Sequence, residues 1–163
     1  MTERDESSEP TMGEVRLAAM NLLARREHAR DELRTKLLKR FGSEGERVTT
    51  VDQALARLEE QGLQSDERFT EAFVTARERQ GKGPLRIAQE LRQKGVSDSL
   101  VRLYLDEGDE RWWDLANEVR QKRFGDAPVE TPKEKARQAR FLQYRGFSHE
   151  QAREAIASAP RHP

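Results

Sequence analysis

The feature that most constrains this chain is that it repeats itself. Laid without a gap over Ala136–Ile156, the segment Leu85–Leu105 pairs Arg86 with Arg137, Ala88 with Ala139, Leu91 with Leu142, Gly95 with Gly146, Ser97 with Ser148 and Arg102 with Arg153. Lys94 meets Arg145 in the same register. The preceding segments match as well, Asp66-Glu67-Arg68-Phe69 against Asp109-Glu110-Arg111-Trp112. An earlier and more divergent copy places Leu33 and Leu37 where Ile87 and Leu91 fall, and Arg40 at Lys94. Self-similarity of this kind marks repeat architectures, in which units too small for a core of their own bury apolar surface by stacking on their neighbours.

The period inside each copy is helical, and strand signals are almost absent. A first helix from about Glu14 to Arg26 carries Val15, Ala18, Leu22 and Leu23 on one face; a second, from about Ala29 to Phe41, carries Leu33, Leu37 and Leu38. Residues from Gly42 to Thr49 read as a loop, and a third helix beginning near Thr50 uses Val51, Ala54, Leu55 and Leu58 before Gly62. The second copy starts at the cap Ser65 with Phe69, Ala72, Phe73 and Ala76, breaks at Gly81, Gly83 and Pro84, resumes with Ile87, Ala88 and Leu91 to Gly95, and continues from the cap Ser97 to Gly108. The third uses Trp112, Leu115, Ala116 and Val119, then a helix over about Lys133 to Arg145, then Ala152, Ala155 and Ile156 behind the capping-box spacing of Ser148 and Gln151. Adjacent helical residues point about 100° apart, so at least one of Trp112 and Trp113 should be in the core or a junction.

The expected architecture is all-α: an elongated, curved array of three tandem three-helix repeats at 13–63, 64–108 and 109–158, between disordered tails at 1–12 and 159–163. Only 34% of residues are hydrophobic and 37% are charged, which favours a thin core over a thick one. Cysteine is absent, so disulfides and thiolate metal sites are excluded. No apolar run approaches the roughly 20 residues of a membrane span, and the acidic start has no apolar signal region.

Lysine plus arginine equals aspartate plus glutamate, 30 each, yet the signs come in blocks. Val15–Arg40 holds eight basic and three acidic residues, Asp52–Ala72 two and six, Arg77–Arg102 seven and three, Leu103–Glu118 one and six, and Arg120–Arg145 eight and three. If those blocks fold onto different faces, the surface is striped and suits an acidic partner despite the zero sum.

Catalytic chemistry finds no constellation. His28, in the first interhelix turn, His149, near a cap, and His162, near the end, are too scattered for a metal site, and each is expected on a solvated surface. Carboxylate runs such as Asp106-Glu107-Gly108-Asp109-Glu110 read as solvated junctions. Gly81-Lys82-Gly83-Pro84 lacks the strand and spacing of a phosphate loop. Its free amides beside Arg77, Arg79, Lys82 and Arg86 could still suit a phosphate or an acidic side chain. Ile87–Leu105 has a helix-turn-helix look, but Leu91 stands where such motifs carry a small residue, which disfavours reading bases in a major groove.

The run Gly62-Leu63-Gln64-Ser65-Asp66-Glu67-Arg68-Phe69, with Phe73-Val74, Arg77, Gly83-Pro84, Arg86-Ile87, Glu90-Leu91 and Lys94-Gly95-Val96, resembles the central repeat of the RecX family of bacterial regulatory proteins. Arg140-Phe141-Leu142-Gln143-Tyr144-Arg145-Gly146-Phe147 resembles that family's closing repeat, and the likeness extends over about Val15 to Ser158. The resemblance implies a cytoplasmic protein, without cofactor or catalytic residue, that binds the RecA recombinase filament on single-stranded DNA. It would lie in the filament groove and limit growth or promote disassembly. Strand exchange, ATP hydrolysis and the co-protease activity behind the SOS response would be damped. We expect a monomer with no membrane partner, touching RecA and the DNA inside the filament. The expected contact face comprises Arg77, Arg79, Lys82, Arg86, Arg92 and Lys94 of the central repeat. Arg137, Arg140, Tyr144 and Arg145 of the last repeat complete it. The competing reading gives the same helices to DNA or RNA phosphates directly; an adaptor and an enzyme rank behind it.

Overall fold

The computed structural model describes residues 8–159, so the outermost parts of the expected tails, 1–7 and 160–163, lie outside the described residues. Among the described residues there are nine α-helices and no strand. In chain order they are α1 (Met12–Arg25), α2 (Arg30–Phe41), α3 (Glu46–Glu60), α4 (Asp66–Arg79), α5 (Pro84–Gln93), α6 (Asp98–Tyr104), α7 (Glu110–Phe124), α8 (Pro132–Arg145) and α9 (His149–Ala157). The chain divides into two compact units. One comprises the chain up to Thr70 with Lys94–Val96; the other comprises Glu71–Gln93 and the chain from Ser97 onward.

Capping chemistry sets most boundaries. Thr11, Ser97, Asp109 and Thr131 accept a backbone N–H at the starts of α1, α6, α7 and α8, and Ser148 with Gln151 forms the full capping box of α9. Thr11 brings α1 forward to Met12, inside the segment expected as tail. The third helix also starts earlier than Thr50. Gly45, at φ 60°, turns the chain and α3 begins at Glu46. Thr50 is a mid-helix residue whose hydroxyl donates to the Glu46 carbonyl at 3.1 Å, the back-bonding that lets threonine sit within a helix.

In the first unit, α1, α2 and α3 bury one apolar cluster, with Leu33, Leu37, Leu55 and Leu58 each fully enclosed. At roughly 2 kcal/mol per buried leucine, these four supply much of that unit's cohesion. In the second unit, α7, α8 and α9 close around Ala116, Leu142, Phe147, Ala152 and Ala155. Trp112 is fully buried and its indole N–H donates to the Asp106 carbonyl at 2.9 Å, while Trp113 is half-buried. On α4 the inward face is Phe69, Thr70 and Val74; Ala72 and Ala76, expected inside, are exposed.

Candidate partner-binding surface

Lys94 lies just past α5 and belongs to the first unit, where its ammonium donates to Glu32 at 2.7 Å. Arg26 grips the same carboxylate with two hydrogen bonds, 2.8 and 2.9 Å. The Glu32 side chain is only 6% exposed. Burial alone would raise its pKa, but the hydrogen bonds and charges of Arg26 and Lys94 override that and hold it at about 2. Lys94 therefore already holds a buried carboxylate.

His28 lies beside this cluster and corrects the expectation of a solvated ring: it is 2% exposed. Its Nδ1–H donates to the Arg26 carbonyl at 3.0 Å, leaving Nε2 to accept from Lys36 Nζ at 3.0 Å. Burial, with the Arg26 and Lys36 charges, pushes its pKa below the usual imidazole range against the pull of the Arg26 carbonyl and Glu32. The backbone also forces close contact here. A Cβ on Gly95 would fall 2.5 Å from Asp31 Cβ.

The second unit contains a matching contact at Gly146. The Gly83 and Leu85 amides donate to the Arg145 and Gly146 carbonyls at 2.9 and 3.0 Å. A Cβ on Gly83 would lie 2.4 Å from the Gly146 carbonyl carbon, and one on Gly146 2.3 Å from Arg86 Cβ. The N-terminus of α5 is thus joined to the C-terminus of α8, which suits the opposed ends of two helix dipoles. These two amides, which the sequence left free for a phosphate, are occupied.

That junction sets Arg86 over the Tyr144 ring, 5.5 Å from its centre, while Tyr144 remains 76% exposed. The two line a notch of about 310 Å³ with Leu85, Gln89, Gln143 and Gly146. Arg77 lies over Phe73 and donates to Glu90 at 2.8 Å, and Arg86 approaches the same carboxylate at 3.7 Å. Arg92 pairs with Asp98 at 2.9 Å, and Arg137 pairs with Glu134 at 3.1 Å and lies over Phe124. Among the described residues no carboxylate pairs with Arg79, Lys82, Arg140 or Arg145.

Arg79 and Arg145 also meet in a groove of about 640 Å³, together with Lys122 and Arg123. The sequence offered a signal for that pair, since both sit in the basic last turn of α7, but the expected face took nothing from α7. The hollow between α8, α9 and the preceding linker, about 670 Å³, is lined by Val129, Ala136, Ala139 and Ile156 with Lys135 and Arg153, and contains none of the expected contact residues. Among the described residues no group of three or more His, Asp or Glu side chains is placed to hold a metal ion.

Comparison with known proteins bears on what such a surface serves. The family described as "RecX, second three-helix domain" matches residues 65–105, and "RecX, third three-helix domain" matches 109–156. Regulatory protein RecX of Halorhodospira halophila is 46% identical over 145 residues, 89% of this chain and 88% of that protein. The protein of the same name from Pseudomonas syringae pv. tomato is 46% identical over 134 residues, 82% of this chain and 83% of its own length. The crystal structure of RecX from Lactobacillus salivarius superposes with a TM-score of 0.72 at 18% identity, covering 91% of this chain and 96% of that one. A second crystal structure, of regulatory protein RecX, gives 0.70 at 23% identity over 90% of this chain and 73% of its own.

Proposed function

Because the chain belongs to the RecX family of regulatory proteins, we propose that it binds the RecA recombinase filament on single-stranded DNA and limits the filament's strand exchange, ATP hydrolysis and co-protease activity. The observation that carries this reading is the identity to proteins named as RecX regulators along most of the chain. Through those activities it would modulate DNA repair and the SOS response. The activity requires recognition only, so a surface of positioned cations and an exposed aromatic is the chemistry it calls for. The site of action would be the cytoplasm, where the filament forms, and the active form a monomer. No helix among the described residues is long and apolar enough to cross a membrane.

The three helix triplets are proposed as the recognition units. Within the expected face, Arg79, Lys82, Arg86, Arg140, Tyr144 and Arg145 are the strongest contact candidates. Arg77, Arg92, Arg137 and Lys94 are held by carboxylates at hydrogen-bond distance and Lys94 holds a buried one, whereas Arg86 reaches Glu90 only at 3.7 Å.

The test is RecA ATP hydrolysis on single-stranded DNA with substoichiometric amounts of this protein, beside its affinity for bare DNA. Strong inhibition with weak DNA affinity is expected. Tight, salt-sensitive binding to bare DNA, with inhibition only at amounts that coat it, would instead establish direct nucleic-acid binding. Arg86→Glu with Tyr144→Ala should weaken inhibition at least tenfold with helicity unchanged; unaltered inhibition removes both residues from the face.

A further inference from the structure

Many arginines of this chain are matched by a carboxylate within 4.0 Å, among them Arg26, Arg30, Arg34, Arg47, Arg68, Arg77 and Arg111. The groove between the end of α4 and the last turns of α7 instead gathers several unmatched cations in one concavity. Arg79, Lys122, Arg123 and Arg145 line it, and among the described residues none has a carboxylate partner. Glu118 is the single acidic side chain in the lining.

Two of these cations are held in place without being neutralised. The Arg123 and Arg145 guanidiniums lie over the Phe141 ring, 5.6 and 5.3 Å from its centre. Arg145 also donates to the Gln80 carbonyl, just past α4, at 3.1 Å. Stacking on a ring and bonding to a carbonyl fix a guanidinium while leaving its positive charge unmatched. The floor between the cations is apolar. It is formed by Leu115, Val119 and Gly81, with a Cβ on Gly81 meeting Val119 at 3.0 Å.

We propose that this groove is a docking site for an acidic segment of a protein partner, one in which carboxylates alternate with apolar side chains. The unmatched cations call for an anion. The apolar floor favours a peptide over a nucleic-acid backbone, because a sugar-phosphate chain offers only thin apolar surface beside its charges, whereas a leucine beside an aspartate brings a whole aliphatic side chain to cover Leu115 and Val119. The proposal rests on the RecX reading and deepens it, since it takes the partner to be a protein. It can fail independently, because it is tested without any filament.

The test is fluorescence anisotropy of the full chain with three labelled probes: a short peptide of aspartate and leucine in equal number, a polyaspartate of the same length, and an oligothymidylate. The amphipathic peptide should bind best, although polyaspartate carries more charge. Lys122→Glu with Arg123→Glu should weaken it at least tenfold. Arg102→Glu, at an exposed site on α6, should change it less than twofold. Arg79→Gln removes an exposed cation without touching the core, and should cost a few-fold even if the double variant folds poorly. Tighter binding of oligothymidylate, equal binding of the two peptides, or no loss in the groove variants overturns the proposal. If peptide affinity disappears while inhibition of RecA persists, the family reading stands and the role of this groove in it falls.

Discussion

Glu32 illustrates how one carboxylate can organise a small unit. It is enclosed, yet ionised, because Arg26 and Lys94 reach it from different parts of the chain. Both cations remain partly exposed, at 49% and 39%, so removing the acid does not strand buried charges. Glu32→Gln should therefore cost about 2 kcal/mol in urea unfolding, below the cost of breaking a fully buried pair. The pH dependence is a matter of linkage. The folded pKa, about 2, lies below the unfolded value of 4.5. The contribution is thus present above pH 4.5 and is lost as pH falls toward 2. His28 acts in the same direction at higher pH. Its folded pKa is depressed below 6.5, so the unfolded chain binds the proton more readily and stability declines as pH falls through that value. Stability measured against pH should show a first loss as pH falls below 6.5, absent in His28→Gln, and a second below pH 4.5, reduced in Glu32→Gln; an unchanged profile in either variant removes that residue from the account.

The second helix of a triplet is capped by the next triplet along the chain. At α2 the N-cap residue is Ala29, which has no side-chain oxygen to offer, and the Arg30 amide donates instead to Asp66 at 2.8 Å. Gln64 braces this join by donating to Asp66 at 2.9 Å and to the His28 carbonyl at 3.2 Å. At α5 the corresponding donors, Gly83 and Leu85, bond to the carbonyls of Arg145 and Gly146. The matched glycines Gly95 and Gly146 have positive φ, 81° and 105°, and approach the first turns of α2 and α5, where a Cβ would clash. Glycine is needed at Gly83 for a different reason: the atoms its Cβ would meet are backbone and cannot rotate away. Gly83→Ala should thus destabilise the protein by about 3 kcal/mol or more, seen as a lower thermal midpoint. Gly125→Ala, with positive φ but open space around it, should cost only about 1 kcal/mol. Equal losses at both would mean that the chain yields around a Cβ at position 83 and that the close backbone approach does not demand glycine there.

Across the molecule, opposite charges cancel in sum but not in place. Many basic side chains are spent on ion pairs within the fold, and of those left over Arg79, Lys122, Arg123 and Arg145 share one groove. Binding that depends on these unspent cations should weaken as salt screens them. Inhibition of RecA by the wild type should fall between low and physiological ionic strength, and the Lys122→Glu, Arg123→Glu variant should show a shallower dependence. Parallel salt curves would take this groove out of the contact.

The helices, their triplet order and the kinship were legible in the residues, because helical period, capping residues and repeated glycines are local signals that a single chain carries. Leu33, Leu37, Leu55 and Leu58 are buried as their spacing implies. What the spacing could not supply was pairing between residues far apart in the chain. Lys94 looked as available as Arg86 until Glu32, 62 residues away, was found holding it. His28 read as a surface turn until its carbonyl, ring and neighbours closed around it. The amides at Gly83 and Leu85 read as free until the end of α8 met them. Periodicity specifies which face of a helix is apolar. Only the packed chain decides which charges and backbone groups are consumed in packing, and so which remain for a partner.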